Sequence, residues 1–298
     1  MKANDQGTRN QELGVAVKKM GWVLVALLVA LPVAAGLEAR AQGAAQAAQP
    51  AGEANATDLA KQTQNPVGDV VSVPLQFNWN QGGFYQDQSF FNLNFQPVIP
   101  IHMTKSTTLI ARTILPINSV PVGNGVSYSG VGDLQQQIYF TPARPGKIIW
   151  GLGPAFSLPI ATAYPVKTGT WAGGGDAVLL AMPGPWVLGS LFMQVSPLHD
   201  SGGEPKTNLF FWQYFVNYNF GKGWALATAP AITANWDAAD GQKWTVPVGG
   251  GISRTLVFNK QPMTLGFQYY YNAVRPDNGA STTVRFNVAF IFPQKRGA

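Results

Sequence analysis

Within residues 65–80, Asn-Pro-Val-Gly-Asp-Val-Val-Ser-Val-Pro-Leu-Gln-Phe-Asn-Trp-Asn, a polar tail gives way to regular alternation from Val71 onward. Successive side chains of an extended strand point to opposite faces. Val71, Val73, Leu75, Phe77 and Trp79 therefore share one side, and Ser72, Pro74, Gln76, Asn78 and Asn80 the other. The pattern recurs. Phe91, Leu93, Phe95, Pro97, Ile99 and Ile101 oppose Asn92, Asn94 and Gln96; Leu109, Ala111, Thr113 and Leu115 oppose Arg112. Leu134, Ile138 and Phe140 oppose Asp133, Gln135, Gln137 and Tyr139. A fifth strand over 148–160 sets Ile148, Trp150, Leu152, Phe156 and Leu158 against the small residues Gly151, Gly153, Ala155 and Ser157. Seven more are predicted near 171–182, 186–196, 207–220, 224–236, 243–257, 263–273 and 281–292, for about twelve in all.

An even count puts both ends of a barrel on one side. If that side is periplasmic, the periplasmic turns are 102–106, 142–146, 183–185, 221–223 and 258–262, all short. The connections on the other side include 121–130, 161–170, 197–206 and 274–280 and are mostly longer. That is the asymmetry of a transmembrane β-barrel, antiparallel and up-and-down. Tryptophan agrees, because amphipathic rings collect at membrane interfaces. Trp150, Trp186 and Trp224 fall at periplasmic strand ends and Trp79, Trp171, Trp236 and Trp244 at outer ends; Trp212 fits less well. A soluble β-sandwich or lipocalin-like barrel would turn such rings inward.

Composition narrows the class further. The chain is 46% hydrophobic and only 11% charged, against about a quarter charged in soluble domains. Past residue 40 there is no apolar run of the roughly 18 residues a spanning helix needs. A closed barrel is then the spanning structure left, since backbone groups in lipid must be paired within the protein. Cysteine is absent, which excludes a disulfide framework and a thiolate nucleophile. Residues 1–41 read as a secretory signal: Lys18 and Lys19 precede the apolar stretch 21–36, and Ala39-Arg40-Ala41 has the form of a cleavage site before Gln42. They hold five Lys or Arg and three Asp or Glu, so the net charge of +6 falls to +4 without them. No basic cluster suggests nucleic acid. Residues 42–66, rich in Ala, Gln, Asn and Pro, are expected to be a disordered periplasmic tail with at most a short helical turn at 58–62. The barrel is expected over 67–293, with a periplasmic tail at 294–298.

Several ordered motifs also carry a family resemblance. Thr63-Gln64-Asn65-Pro66-Val67-Gly68-Asp69, Asn94-Phe95-Gln96-Pro97-Val98-Ile99-Pro100, Arg112-Thr113-Ile114-Leu115-Pro116, Gly130-Val131-Gly132-Asp133, Trp150-Gly151-Leu152-Gly153-Pro154 and Trp244-Thr245-Val246-Pro247-Val248 are the runs concerned. Together they resemble the bacterial outer-membrane family named for the meta-cleavage pathway of phenol degradation, some members of which carry a misplaced neuropeptide-precursor name. The resemblance covers residues 58–293. It implies an outer-membrane barrel and a transporter role, and it brings no catalytic residues.

Enzymatic chemistry finds little support. The two histidines, His102 and His199, fall in a predicted turn and a predicted loop, and one chain with two imidazoles cannot build a multi-histidine metal site. The contiguous His199-Asp200-Ser201 cannot form a relay in which the base lies between nucleophile and acid. Gly173-Gly174-Gly175 and Gly249-Gly250-Gly251 lack the Lys-Ser/Thr and the helix of a phosphate loop, and read as strand bends. No catalytic residue, metal or cofactor is expected. The functional evidence is the wet face. Asn94, Gln96, Arg112, Asp133, Gln135, Gln137, Gln213, Asn217, Gln268 and Arg285 are predicted to line the lumen, with Gln76, Asn78, Asn92 and Asn287 beside them and Leu209, Phe211 and Phe215 interleaved. Arg112 and Asp133 are expected to pair. About eight strands leave room only for side chains and about sixteen leave a water channel, so twelve allow either a narrow passage or a plugged lumen. The leading expectation is passive passage of a small neutral, aromatic or amphipathic solute through the outer membrane. A structural or envelope-interaction barrel and a membrane hydrolase are the alternatives. Expected partners are outer-membrane lipid, an unidentified solute and the barrel-assembly machinery.

Overall fold

A computed structural model describes residues 53–83, 87–123, 126–162, 170–199 and 207–293. Among the described residues one helix, α1 (Glu53–Thr63), precedes twelve strands. They are β1 (Val70–Gln81), β2 (Phe90–Phe95 and Val98–His102), β3 (Thr107–Gly123), β4 (Val126–Val131 and Leu134–Pro142), β5 (Ile148–Leu158), β6 (Ala172–Ala181), β7 (Trp186–Pro197), β8 (Leu209–Gly221), β9 (Trp224–Thr228 and Ala231–Asn235), β10 (Trp244–Phe258), β11 (Gln261–Val274) and β12 (Thr282–Pro293). Every strand pairs antiparallel with its neighbour in sequence, and β1 pairs with β12 from Val70↔Pro293 to Gln81↔Thr282. The sheet is thus closed, and no edge is left to be satisfied in lipid. Among the described residues no helix is long and apolar enough to cross a membrane.

Alternation holds round the barrel. Trp79, Trp150, Leu152, Leu179, Phe192, Leu226, Phe267 and Phe286 are exposed on the outside, while Asn78, Gln137, Asn217, Gln268 and Arg285 are buried within. Aromatic groups gather at both rims: Trp186 packs on Tyr218 at 4.7 Å between centroids, and Trp236 meets Trp244 edge-on at 5.6 Å. Trp212 lies between the rims, stacked on Phe192 at 5.9 Å, its indole N–H donating to Ser190 Oγ at 3.4 Å.

Three strands are interrupted, each beside prolines, which carry no N–H for the ladder. Beta-2 stops at Phe95 and resumes at Val98, with Pro97 in the gap and Pro74 across from it on β1; Gln96 N–H donates to Pro74 O at 2.9 Å. In β4 the interruption faces Pro116, whose carbonyl accepts from Gly132 N–H at 2.8 Å. The largest gap is in β9. Its two halves pair with β10 only at 224–227 and 233–234, and Pro230 and Pro247 stand on the two sides of the opening.

Two expectations change. The connection 121–130 is mostly strand: β3 runs on to Gly123 and pairs with β4 from Val126, with Val120↔Tyr128 and Ser129 Oγ donating to Ser119 Oγ at 3.0 Å. The alternating Val and Ser residues there suit a ladder extended past the apolar belt. Residues 53–66 do not behave as a disordered tail. Eleven of them form α1, with Ala60 fully buried, so tertiary packing supplies what a short isolated helix lacks. Residues 42–52, the predicted cleavage site and 294–298 lie outside the described residues.

Candidate functional site in the barrel lumen

The interior wall is divided. On β12, β1, β2 and β3 it is a mesh of amides: Asn78 donates to Asn92 at 3.0 Å, Asn92 to Asn118 at 2.8 Å and Asn94 to Gln76 at 3.2 Å. Arg285, buried at 8% exposure, joins it, donating Nε–H to Asn78 Oδ1 at 2.9 Å and Nη1–H to the Ala229 carbonyl at 3.1 Å, with Tyr270 under its guanidinium at 4.8 Å. On β5 to β8 the inner face is mainly apolar, with Ile149, Val178, Leu180, Val187, Leu191 and Phe215 in one buried cluster and Ser157, Asp176, Gln213 and Asn217 as its polar exceptions. The bonds in the mesh mostly run between neighbouring strands.

Where the two halves meet on β3 and β4 sits Arg112. Its Nη1 donates to Gln137 Oε1 at 2.7 Å and its Nη2 to Gln96 Oε1 at 2.8 Å. Gln137, fully buried, reaches across to Met193 Sδ at 3.4 Å. Tyr139 and Asp176 lie near enough to Arg112 to interact with it electrostatically. Yet no Arg112–carboxylate ion pair within 4 Å exists among the described residues, and both Asp176 oxygens and the Tyr139 hydroxyl are buried without a hydrogen bond. Arg112 also borders a lumenal cavity of about 230 Å³, shared with Gln96, Gln213, Asn217, Leu191 and Phe215.

Residues 62–66 form one wall of this cavity. Asn65-Pro66-Val67-Gly68 is a turn of the expected chemistry, Asn first, Pro second and Gly fourth, with Gly68 N–H donating to Asn65 O at 3.1 Å and Val67 N–H to Asn65 Oδ1 at 3.0 Å. The turn delivers Val67 into the apolar cluster. Gly151 makes room for it: a Cβ there would lie 3.2 Å from Val67, Val178 and Tyr139. Polar bonds fix the segment to the end of the barrel that carries the short turns. Gln64 and Asn219 exchange amide bonds at 3.0 and 3.1 Å, Lys61 Nζ donates to Gly184 O at 2.6 Å, and His102 Nε2 lies 3.0 Å from Asp69 Oδ1.

Of the residues expected inside, Gln96, Gln137, Asn217, Gln268 and Arg285 are buried on inward faces, and Asn94, Arg112 and Gln213 are bonded there. Gln135 occupies the inward register, opposite Ile114 and Ser157. Asp133 stands apart. It lies in the interruption of β4 and accepts from Ala161 N–H at 3.1 Å, so the expected pairing with Arg112 does not occur. The bulge opposite Pro116 removes Asp133 from the ladder, and the register sets Gln137 against Arg112 instead. Asp176 and Tyr270 were not singled out from the sequence. Asp176 is a lone acid in Gly-Gly-Gly-Asp-Ala-Val-Leu-Leu, in phase with the inward Val178 and Leu180; that phase is the signal that could have found it. His199 is exposed, Asp200 and Ser201 lie outside the described residues, and no group of three metal-binding side chains occurs among those described.

No family model and no curated protein matches the chain. Among solved structures, an outer membrane channel from Pseudomonas putida F1 is similar, with a TM-score of 0.55 and 14% identity over 75% of this chain and 94% of that one. The NanC porin follows with a TM-score of 0.49 and 11% identity over 73% of this chain and 98% of its own. Outer membrane phospholipase A from Escherichia coli has a TM-score of 0.42 and 11% identity, over 74% and 95%. The last two are too distant in geometry to bear on the argument. At 14% identity the first likeness speaks for the fold alone, and that fold is an outer-membrane β-barrel.

Proposed function

We propose that this protein is an outer-membrane channel for the passive passage of small neutral, aromatic or amphipathic solutes. The observation that carries the reading is a lumenal cavity of about 230 Å³ whose lining mixes polar Gln96, Arg112, Gln213 and Asn217 with apolar Val98, Leu191 and Phe215. A solute with one polar edge and one ring meets a partner on each side, and weak binding of this kind permits release at the far end. The sequence resemblance to the phenol meta-pathway family supports an outer-membrane transporter role. In this reading residues 1–41 are removed, both ends of the barrel face the periplasm, and the barrel-assembly machinery inserts it among outer-membrane lipids.

The test is solute entry into proteoliposomes, with protein-free vesicles subtracted because lipid alone passes phenols. A neutral phenol is expected to enter faster than a dianion of equal size. Leu209→Trp, on β8 beside the inward Met193 and Val195, should lower the protein-dependent part by narrowing the passage. A second reading, a structural barrel without transport, draws on the segment 62–66 at one end of the lumen. Vesicles with and without protein admitting every solute alike would decide for it.

A further inference from the structure

We infer that the lumenal cavity at Arg112 is a binding site for a small aromatic monocarboxylate, with the carboxylate at the guanidinium and the ring against Phe215 and Leu191. The inference deepens the channel reading by naming a solute class for its lumen.

The argument begins with charge. A buried cation is costly unless an opposite charge compensates it. Arg112 is held only by neutral acceptors, Gln137 Oε1 at 2.7 Å and Gln96 Oε1 at 2.8 Å. The lumenal acid nearby, Asp176, is not within 4 Å of it, and its own oxygens are buried without a hydrogen bond. Gln96 and Gln137 therefore orient the guanidinium with no carboxylate in contact, Asp176 acting on it only from beyond 4 Å. Two amide oxygens use two of the five N–H donors of the fork, so donors remain for an anion in the cavity that Arg112 borders. Guanidinium and carboxylate are planar partners that bond bidentately.

Shape and polarity set the rest of the ligand. At about 230 Å³ the cavity falls just below the roughly 300–1,000 Å³ of drug-sized pockets, so it suits a single ring. Leu191 and Phe215 give the ring an apolar surface and Asn217 a polar edge. A second carboxylate would meet amides, the apolar cluster or the unpaired Asp176, so dianions are disfavoured.

The experiment is saturation-transfer NMR titration of the purified full chain in detergent micelles with benzoate, its neutral isostere benzamide, and acetate, each corrected with protein-free micelles. Benzoate should bind about tenfold or more tightly than benzamide, the worth of one charge-assisted contact, and more tightly than acetate, which lacks the ring. Arg112→Lys should keep part of the preference, and Arg112→Gln, checked for heat-resistant migration on gels, should abolish it. Should Arg112→Gln fail to fold, the benzoate and benzamide comparison on the native protein still decides. Equal binding of benzoate and benzamide overturns the inference, as does an unchanged preference in folded Arg112→Gln. Benzoate preference without protein-dependent flux in vesicles would keep this site and remove the channel reading; flux without the preference would do the reverse.

Discussion

At the scale of single residues, the lumen works by volume as much as by polarity. Gly189 on β7 faces inward, paired with Phe215, and a Cβ there would press on the Phe215 ring, on Leu180 Cβ at 2.6 Å and on the Leu179 carbonyl at 2.7 Å. Gly146, in a short turn, has open space instead. Gly189→Ala is thus expected to cost about 1–3 kcal/mol through overpacking, seen as a lower temperature for loss of heat-resistant gel migration, with Gly146→Ala near native. Equal behaviour of the two variants would mean that β7 is out of phase. The phase itself was readable in the sequence for Asn94, Gln96, Arg112, Gln137 and Arg285, because alternation assigns a face without knowledge of the partner. The identity of the partners was not. Arg112 meets Gln137 rather than Asp133 because the register sets Gln137 opposite Arg112, four residues along from Asp133, and no local pattern encodes that register.

At the scale of elements, prolines mark where the wall is weakest. Between the halves of β9, the Ala229 carbonyl accepts from Arg285 and Gln213 at 3.1 Å each, and its N–H donates to Tyr270 Oη at 3.1 Å. Thr228 Oγ1 donates to Gly249 O at 2.6 Å. Side chains thus replace the ladder bonds that Pro230 and Pro247 interrupt. Arg285→Ala should speed hydrogen–deuterium exchange around 227–232 and 246–250 and leave β5 to β7 slow, since local opening follows local bonding. Uniform acceleration around the barrel would show that Arg285 stabilises the whole fold and not this seam. The strands themselves were legible from alternation and turns. The breaks were legible only in hindsight, as Pro74, Pro97, Pro116, Pro230 and Pro247, because a proline in a strand pattern does not say which neighbour loses its bond. Of helix α1 only a short turn at 58–62 was expected, because its composition is that of a tail, and its order comes from contacts with β8, β10 and the turn at Gly184.

At the scale of the whole molecule, closure of twelve strands gives an interior with an amide mesh on β12 and β1 to β3, an apolar cluster centred on β5 to β8 and a cavity of about 230 Å³. Residues 62–66 bound the cavity at one end, tied down by the Gln64–Asn219 pair and Lys61. A passage narrowed by that segment should conduct weakly in the native protein and better without it. The most direct test is therefore single-channel current across a planar bilayer for the purified mature protein and for a form lacking residues 42–66. Small discrete steps from the first and larger ones from the second are the predicted result; no current above bare membrane from either, with heat-resistant migration retained, would contradict the channel.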